Sequence, residues 1–187
     1  MISVEPTGRG EGYEFVDKIF GGSIDQQFRP SVDKGIRAKM VEGVLAGYPV
    51  EDVRVTLVDG KTHPVDSKDI AFQIAGRQAF QQAFLQAAPV LLEPIVNAEI
   101  TVPAKAMGDI TGDLNTRRGR IQGMDQFGDQ QVIRAQVPLA EMLTYSTQLR
   151  SITGGEGAFT MEFSHYDIVP ANVQQQIVAA AQKQDEE

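Results

Sequence analysis

From Ile95 to His165 the chain passes through six segments whose hydrophobic rhythm sets a strict order. Ile95–Val102, Arg120–Met124, Gln131–Val137 and Ala158–His165 read as strands. Ala104–Arg117 and Leu139–Ser151 carry the wider spacing of helices. Ile133, Ala135 and Val137 alternate with Arg134 and Gln136, and Phe159, Met161 and Phe163 alternate with Thr160 and Glu162. Each such strand has one dry face and one wet face, as in an antiparallel sheet covered by helices on one side. The order βαββαβ predicts a ferredoxin-like domain. Polar Asp125–Asp129 links the two middle strands as a hairpin.

The join between the first helix and the second strand is the densest signal in the chain. Ile110 and Leu114 sit four apart on one helix face. Gly119 follows as the residue able to take a left-handed C-cap. Arg117, Arg118 and Arg120 crowd the helix end, where the dipole favours cations. Gly154-Gly155-Glu156-Gly157 reads as a loop before a strand, since no helix follows it to form a phosphate site. Val173, Ile177 and Ala181 form one stripe of a last helix from Ala171 to about Gln182.

The first ninety residues predict a second α+β unit. Met1–Pro6 and Tyr13–Phe20 read as strands joined by a hairpin turn in which Gly8, Gly10 and Gly12 alternate. Those glycines do not make a dinucleotide fingerprint, which needs another spacing and opens a helix. Pro30 suits the first position of a helix, with Val32, Ile36, Met40 and Val44 on one face and Gly47 beyond its end. Val53–Leu57 alternates as a strand, and Asp59-Gly60 supplies a turn. Lys61–Ser67 is a polar loop leading into a long helix, for which Asp66 or Ser67 is the candidate cap and Asp69 an acidic first-turn residue. Phe72, Ala75, Gly76, Ala79, Phe80, Ala83 and Phe84 mix large and small residues in one stripe, as expected for a helix lying close against a sheet. Pro89 stops that helix, and Pro94 marks a boundary between domains 1–92 and 93–187.

Composition narrows the functional classes. The chain of 187 residues has no cysteine, which excludes disulfides and thiolate metal sites and fits a reducing cytosol. No apolar run approaches the roughly 18 residues of a membrane helix, and Met1–Pro6 lacks signal-peptide anatomy. The net charge is −8, with 10 basic and 12 acidic residues up to Leu92 and 7 and 13 beyond it. General attraction to phosphate is therefore absent, and any RNA contact has to come from local patches.

Four separated strings resemble the C-terminal part of translation elongation factor G, the translocating GTPase of the ribosome. They are Gly108–Met124, Val90–Ile95, Val137–Met142 and Phe159–Tyr166. Tyr13–Gly22, Val44–Val50 and His63–Phe72 resemble the family's fourth domain, and the chain from Glu93 on resembles its fifth. The resemblance implies two small two-layer α/β sandwich domains. The first would be a β-α-β crossover fold lacking its first strand. The second would be ferredoxin-like with an extra C-terminal helix. It implies a C-terminal fragment, expressed as such or the product of a truncated gene.

In the family the tip of the fourth domain enters the decoding centre beside transfer RNA and messenger RNA, and the fifth lies near the sarcin-ricin loop. By this resemblance His63 is the tip histidine. RNA contacts are implied at Gly21, Gly22, His63, Pro64, Asp66, Ser67 and Lys68, and at Arg117, Arg118 and Arg120. Pro64 stands where the family has an acidic residue and Lys68 where it has a serine, which leaves room for a paralogue acting in ribosome recycling or a stand-alone interaction module. The expected partner is the ribosome, with a monomeric, cytoplasmic chain and no membrane.

Competing chemistry finds little support. There is no Gly-x-x-x-x-Gly-Lys-Ser/Thr string, so GTP and magnesium are expected only in a GTPase domain elsewhere in the parent, and this chain is expected to be no enzyme. His63, Asp66 and Ser67 are neighbours in sequence, but a hydrolase needs convergent side chains and an oxyanion hole. Asp109 and Asp113 share a helix face without the further oxygen ligands of a metal site. His165 is expected to pack at the edge of a core. Arg117, Arg118 and Arg120 have a second reading as a solvated helix end with Asp109 and Asp113 as acidic neighbours, beside that of RNA or interdomain contact.

Overall fold

The computed structural model describes residues 1–63 and 67–185. The chain divides into two compact units, the first made of Met1–Val90 with the C-terminal helix and the second of Leu91–Pro170.

In the first unit three strands, β1 (Ile2–Pro6), β2 (Glu14–Asp17) and β3 (Val53–Leu57), form a sheet in the order β1-β3-β2. Strand β3 is antiparallel to β1 and parallel to β2. The segment between β2 and β3 carries helix α1 (Arg29–Glu42), giving a β-α-β crossover. The hairpin expected between β1 and β2 is therefore wrong, because β3 lies between them. The physical reason is Asp52. Its carboxylate accepts hydrogen bonds from the amides of Gly10 (3.0 Å) and Gly12 (2.9 Å), and its carbonyl accepts from Thr7 (2.9 Å). The glycine loop thus arches over the start of β3 instead of folding back. Asp52 itself has φ 58°, a left-handed value that short polar side chains tolerate best.

Helix α1 begins with Pro near its start and stops at Gly43, where φ is 86°, four residues before the expected Gly47. Helix α2 (Asp69–Gln86) packs against it. Helix α2 also meets strand β1 of the sheet, as expected, and its Gly76 serves the contact with α1. A Cβ at Gly76 would lie 2.6 Å from the Val32 carbonyl oxygen, and one at Gly35 would lie 2.0 Å from that of Gln73. Val32, Ile36, Val55, Leu57, Phe72 and Phe80 are buried in the core between, with Phe28 stacked on Phe72 at 4.7 Å. Helix α6 (Ala171–Asp185) belongs to this unit, its Val173, Ile177 and Ala181 half-buried.

The second unit is a four-stranded antiparallel sheet of β4 (Leu92–Pro103), β5 (Arg120–Phe127), β6 (Gln130–Pro138) and β7 (Ala158–Ile168) in the order β5-β6-β4-β7. Helix α3 (Met107–Thr116) joins β4 to β5. The second expected helix is two, α4 (Leu139–Met142) and α5 (Tyr145–Thr153), interrupted at Leu143-Thr144. This is the ferredoxin-like arrangement, and both units are α+β, as the sequence predicts. The dry faces of β4 and β6 meet Ile110, Leu114, Tyr145 and Leu149. Met161 and Phe163 depart from expectation: on the edge strand β7 they are 44% and 60% exposed, whereas Phe159 on the same face packs edge-on against Tyr145 of α5 at 5.1 Å. On the wet face Arg134 ties three strands together through Glu99 (3.1 Å) and Asp125 (2.5 Å).

Candidate functional site

Parallel strands β2 and β3 end side by side, with Asp17 opposite Leu57. The loops that follow, residues 18–25 and 58–63, leave the sheet at one end. They are fastened to each other there. The Thr62 amide and hydroxyl both donate to the Ser23 carbonyl, at 3.1 and 3.3 Å. A Cβ at Gly60 would lie 2.4 Å from the end of the buried Ile24 side chain, so a larger residue there would force Ile24 to move. The structure therefore brings the Gly21-Gly22 turn and the His63 loop together, two stretches about 40 residues apart in sequence.

Within the first loop, Asp17 accepts from the Ile19 amide (2.9 Å) and pairs with Arg29 (2.8 Å). These contacts hold its carboxyl below the usual carboxylate range, the bond from the Ile19 amide contributing most. Arg29 also donates to the Ile24 carbonyl from two nitrogens (3.2 and 3.1 Å). Gly21 and Gly22 have φ of 71° and 75°. Both are exposed, and so is Phe20 just before them, with 94% of its surface in water. The strand expected over Tyr13–Phe20 ends at Asp17, which leaves Phe20 in the loop before the double glycine.

In the second loop His63 is exposed. Its amide donates to the Ser67 hydroxyl (2.8 Å), and the Ser67 amide donates back to the His63 carbonyl (3.2 Å). Ser67 thus brackets the loop and does not cap α2. The N-cap is Lys68, which makes no side-chain capping bond, while Asp69 in the first turn accepts from the Ser31 hydroxyl (2.7 Å). Pro64 and Asp66 lie outside the described residues.

The three arginines of the second unit are placed differently from one another. Arg117 is mostly buried, bonded to Asp113 (2.7 Å) and to the Glu141 carbonyl, with its guanidinium over the Tyr145 ring at 5.1 Å. Arg118 has φ 59° and binds both Glu93 and Glu141. Those bonds, Glu93 first, raise its already high pKa. Only Arg120 of the three points outward, 76% exposed and 4.0 Å from Asp167. His165, also exposed, lines the same shallow cleft as Arg118, Arg120 and Asp167 and shares a 2.9 Å bond with Ser164. It does not pack at a core edge, because β7 is itself the sheet edge. Among the described residues no cluster of three or more metal-ligating side chains occurs, and no helix is long and apolar enough to cross a membrane.

Two units, one with α1 and α2 over a mixed sheet and one a ferredoxin-like sheet, with a clasped pair of loops on the first, define the class. The chain belongs to the elongation factor G family. Residues 1–88 match the family model for elongation factor G, domain IV, and residues 90–177 the model for the elongation factor G C-terminus. An elongation factor G of Aquifex pyrophilus is 54% identical over 178 residues, covering 95% of this chain and 26% of that protein. An elongation factor G-like protein of Thermotoga maritima is 54% identical over 187 residues, covering all of this chain and 27% of its own length. A crystal structure of a Thermus thermophilus protein superposes with a TM-score of 0.76 at 43% identity, over 96% of this chain and 27% of that one. The chain thus spans about a quarter of the length of the relatives it matches.

Proposed function

We propose that this chain is the ribosome-binding part of a translational GTPase that drives movement of transfer RNA and messenger RNA during elongation. The clasped loops of the first unit are the end that enters the decoding centre, and the second unit contacts the factor-binding region of the large subunit. The observation that carries this reading is the Thr62–Ser23 clasp, which presents His63 and the Gly21-Gly22 turn together on a family scaffold. The chain supplies no chemistry: it acts by occupying space beside the RNA, and nucleotide hydrolysis belongs to another part of the parent factor.

Arg120 is the side chain of the arginine trio left to meet phosphate, since the guanidiniums of Arg117 and Arg118 are already bound to carboxylates. A second reading, a paralogue that acts in ribosome recycling, rests on the departure of Lys68, exposed at the start of α2, from the serine of the family. Both readings are tested by adding purified chain to ribosomes. Salt-sensitive co-sedimentation, with inhibition of translocation by an intact factor, supports the first. Inhibition of subunit splitting alone supports the second, and no association with ribosomes overturns both.

A further inference from the structure

We infer that Phe20 is a stacking platform for an unpaired nucleobase of RNA; the inference rests on the reading that this end of the first unit meets RNA. Folding normally hides a phenylalanine ring, yet this one keeps 94% of its surface in water. It is not on a loose segment. Ile19 is held by Asp17, Arg29 fastens Asp17 and the Ile24 carbonyl, and Thr62 fastens Ser23. The ring is thus displayed by a loop whose backbone is fixed on both sides, so little ordering cost remains when a ligand arrives.

The surroundings suit a planar base better than a protein surface. A protein anchor residue is ringed by side chains that pack with it and exclude water. Phe20 is followed by Gly21 and Gly22, at both of which an added Cβ would meet nothing within 4 Å. Two residues without side chains leave open space beside the ring, and a flat base can slide into it. Lys18 lies two residues before the ring, and Lys61 belongs to the loop clasped to it; both are exposed. Aromatic rings interleaved with cations are how proteins hold unpaired strands: the cations follow the phosphates and the ring takes a base without regard to its identity. This arrangement also resolves the conflict with a net charge of −8. Stacking does not depend on the overall field, so a chain with no general attraction to phosphate still gains an RNA contact there.

The chain contains no tryptophan, so Phe20→Trp installs a single indole at the site. Its emission is read while the full chain is titrated with a short single-stranded oligoadenylate and, separately, with the same strand made abasic. Quenching by the first and not the second is expected. In parallel, Phe20→Ala weakens binding of the oligoadenylate between about fivefold and a hundredfold, the loss of one stacked base. Phe20→Tyr keeps the affinity and Phe20→Leu does not, because leucine is apolar but has no π face.

Equal quenching by the abasic strand, or full affinity with Leu, overturns stacking. Loss of oligonucleotide quenching while the chain still sediments with ribosomes also overturns it and leaves the proposed function standing. Failure of both assays removes the inference together with the reading beneath it.

Discussion

The Gly119 amide donates to the Leu114 carbonyl at 2.8 Å, and the residue that turns left-handed to make this possible is its neighbour, Arg118. Together with the Arg118 amide on the Asn115 carbonyl (3.2 Å), this is a Schellman end with arginine in the place where glycine is usual. Gly119 is needed for a different reason: a Cβ there would lie 2.8 Å from the Leu114 carbonyl oxygen. The bonds of Arg118 to Glu93 and Glu141 offset the backbone cost of its conformation.

Two substitutions separate these roles. Gly119→Ala is expected to destabilise the second unit by about 1–3 kcal/mol through overpacking. Arg118→Ala is expected to cost about 1–3 kcal/mol by leaving the mostly buried Glu93 carboxylate without its charged donor. Arg118→Gly recovers part of that loss through backbone freedom. Denaturant midpoints of the three variants, measured side by side, check the ranking.

At the α1–α2 contact, Gly35→Ala sets two effects against each other. Alanine favours a helix interior by about 1 kcal/mol over glycine. The added methyl would sit 2.0 Å from the Gln73 carbonyl oxygen, which is backbone and cannot swing aside. The clash wins, and the first unit is expected to lose about 2 kcal/mol or more. A thermal melt at or above that of the parent chain would refute this.

Asp52 ties the glycine loop over β3, and its carboxyl sits below the usual range because the Gly10 and Gly12 amides point at it. A depressed carboxylate stabilises the fold above its unfolded value near 4, and that contribution is lost as pH falls through the lower folded value. Asp52→Asn keeps a side-chain acceptor and tolerates the left-handed backbone. Asp52→Ala loses both. The alanine variant is expected to fall below the asparagine variant by about 1 kcal/mol at pH 7, and the gap to the parent should narrow near pH 3. Urea unfolding at the two pH values reads both differences.

Tyr145 gives the second unit an alkaline limit. Burial pushes its phenol up to about 12, with the Asp113 carboxylate adding to the shift and Arg117 opposing it. A phenol raised in the folded state contributes its stability fully below the unfolded value near 10, and loses it as pH climbs from there to about 12. Its hydroxyl finds no hydrogen-bond partner among the described residues. Tyr145→Phe is therefore expected to change stability at pH 7 by less than about 1 kcal/mol and to delay alkaline unfolding. Circular dichroism between about pH 9 and 12.5, a range spanning the phenol values above, follows it.

The sequence has no phosphate-loop string, so the purified chain is expected neither to bind nor to hydrolyse GTP. Equilibrium dialysis with labelled GTP at micromolar protein measures this directly.

The fold was legible in sequence wherever periodicity was strong. Ile133, Ala135 and Val137 lie inward as their alternation demands, and Val53–Leu57 is a strand with the bounds expected. What stayed hidden depended on partners distant in sequence. Nothing near Gly8–Gly12 announces that Asp52, some forty residues on, collects its amides and turns a hairpin into an arch. Met161 and Phe163 alternate like core residues, and only the position of β7 at the sheet edge leaves them in water. The arginine trio reads as one cluster in sequence; Asp113, which binds Arg117, stands in the same string, but Glu93 and Glu141, which bind Arg118, do not. Phe20 closes a segment that reads as strand, and only the early end of β2 at Asp17 puts it in a loop.

Unit one is discontinuous: the chain leaves it near Val90, builds the whole of Leu91–Pro170, and returns with α6. The points of departure and return are stitched together, the Val169 amide donating to the Leu91 carbonyl at 3.0 Å. During synthesis the later segment is consequently the first to be finished. The ferredoxin-like sheet has all its strands once residue 168 has emerged, whereas the unit begun before it receives α6 only afterwards.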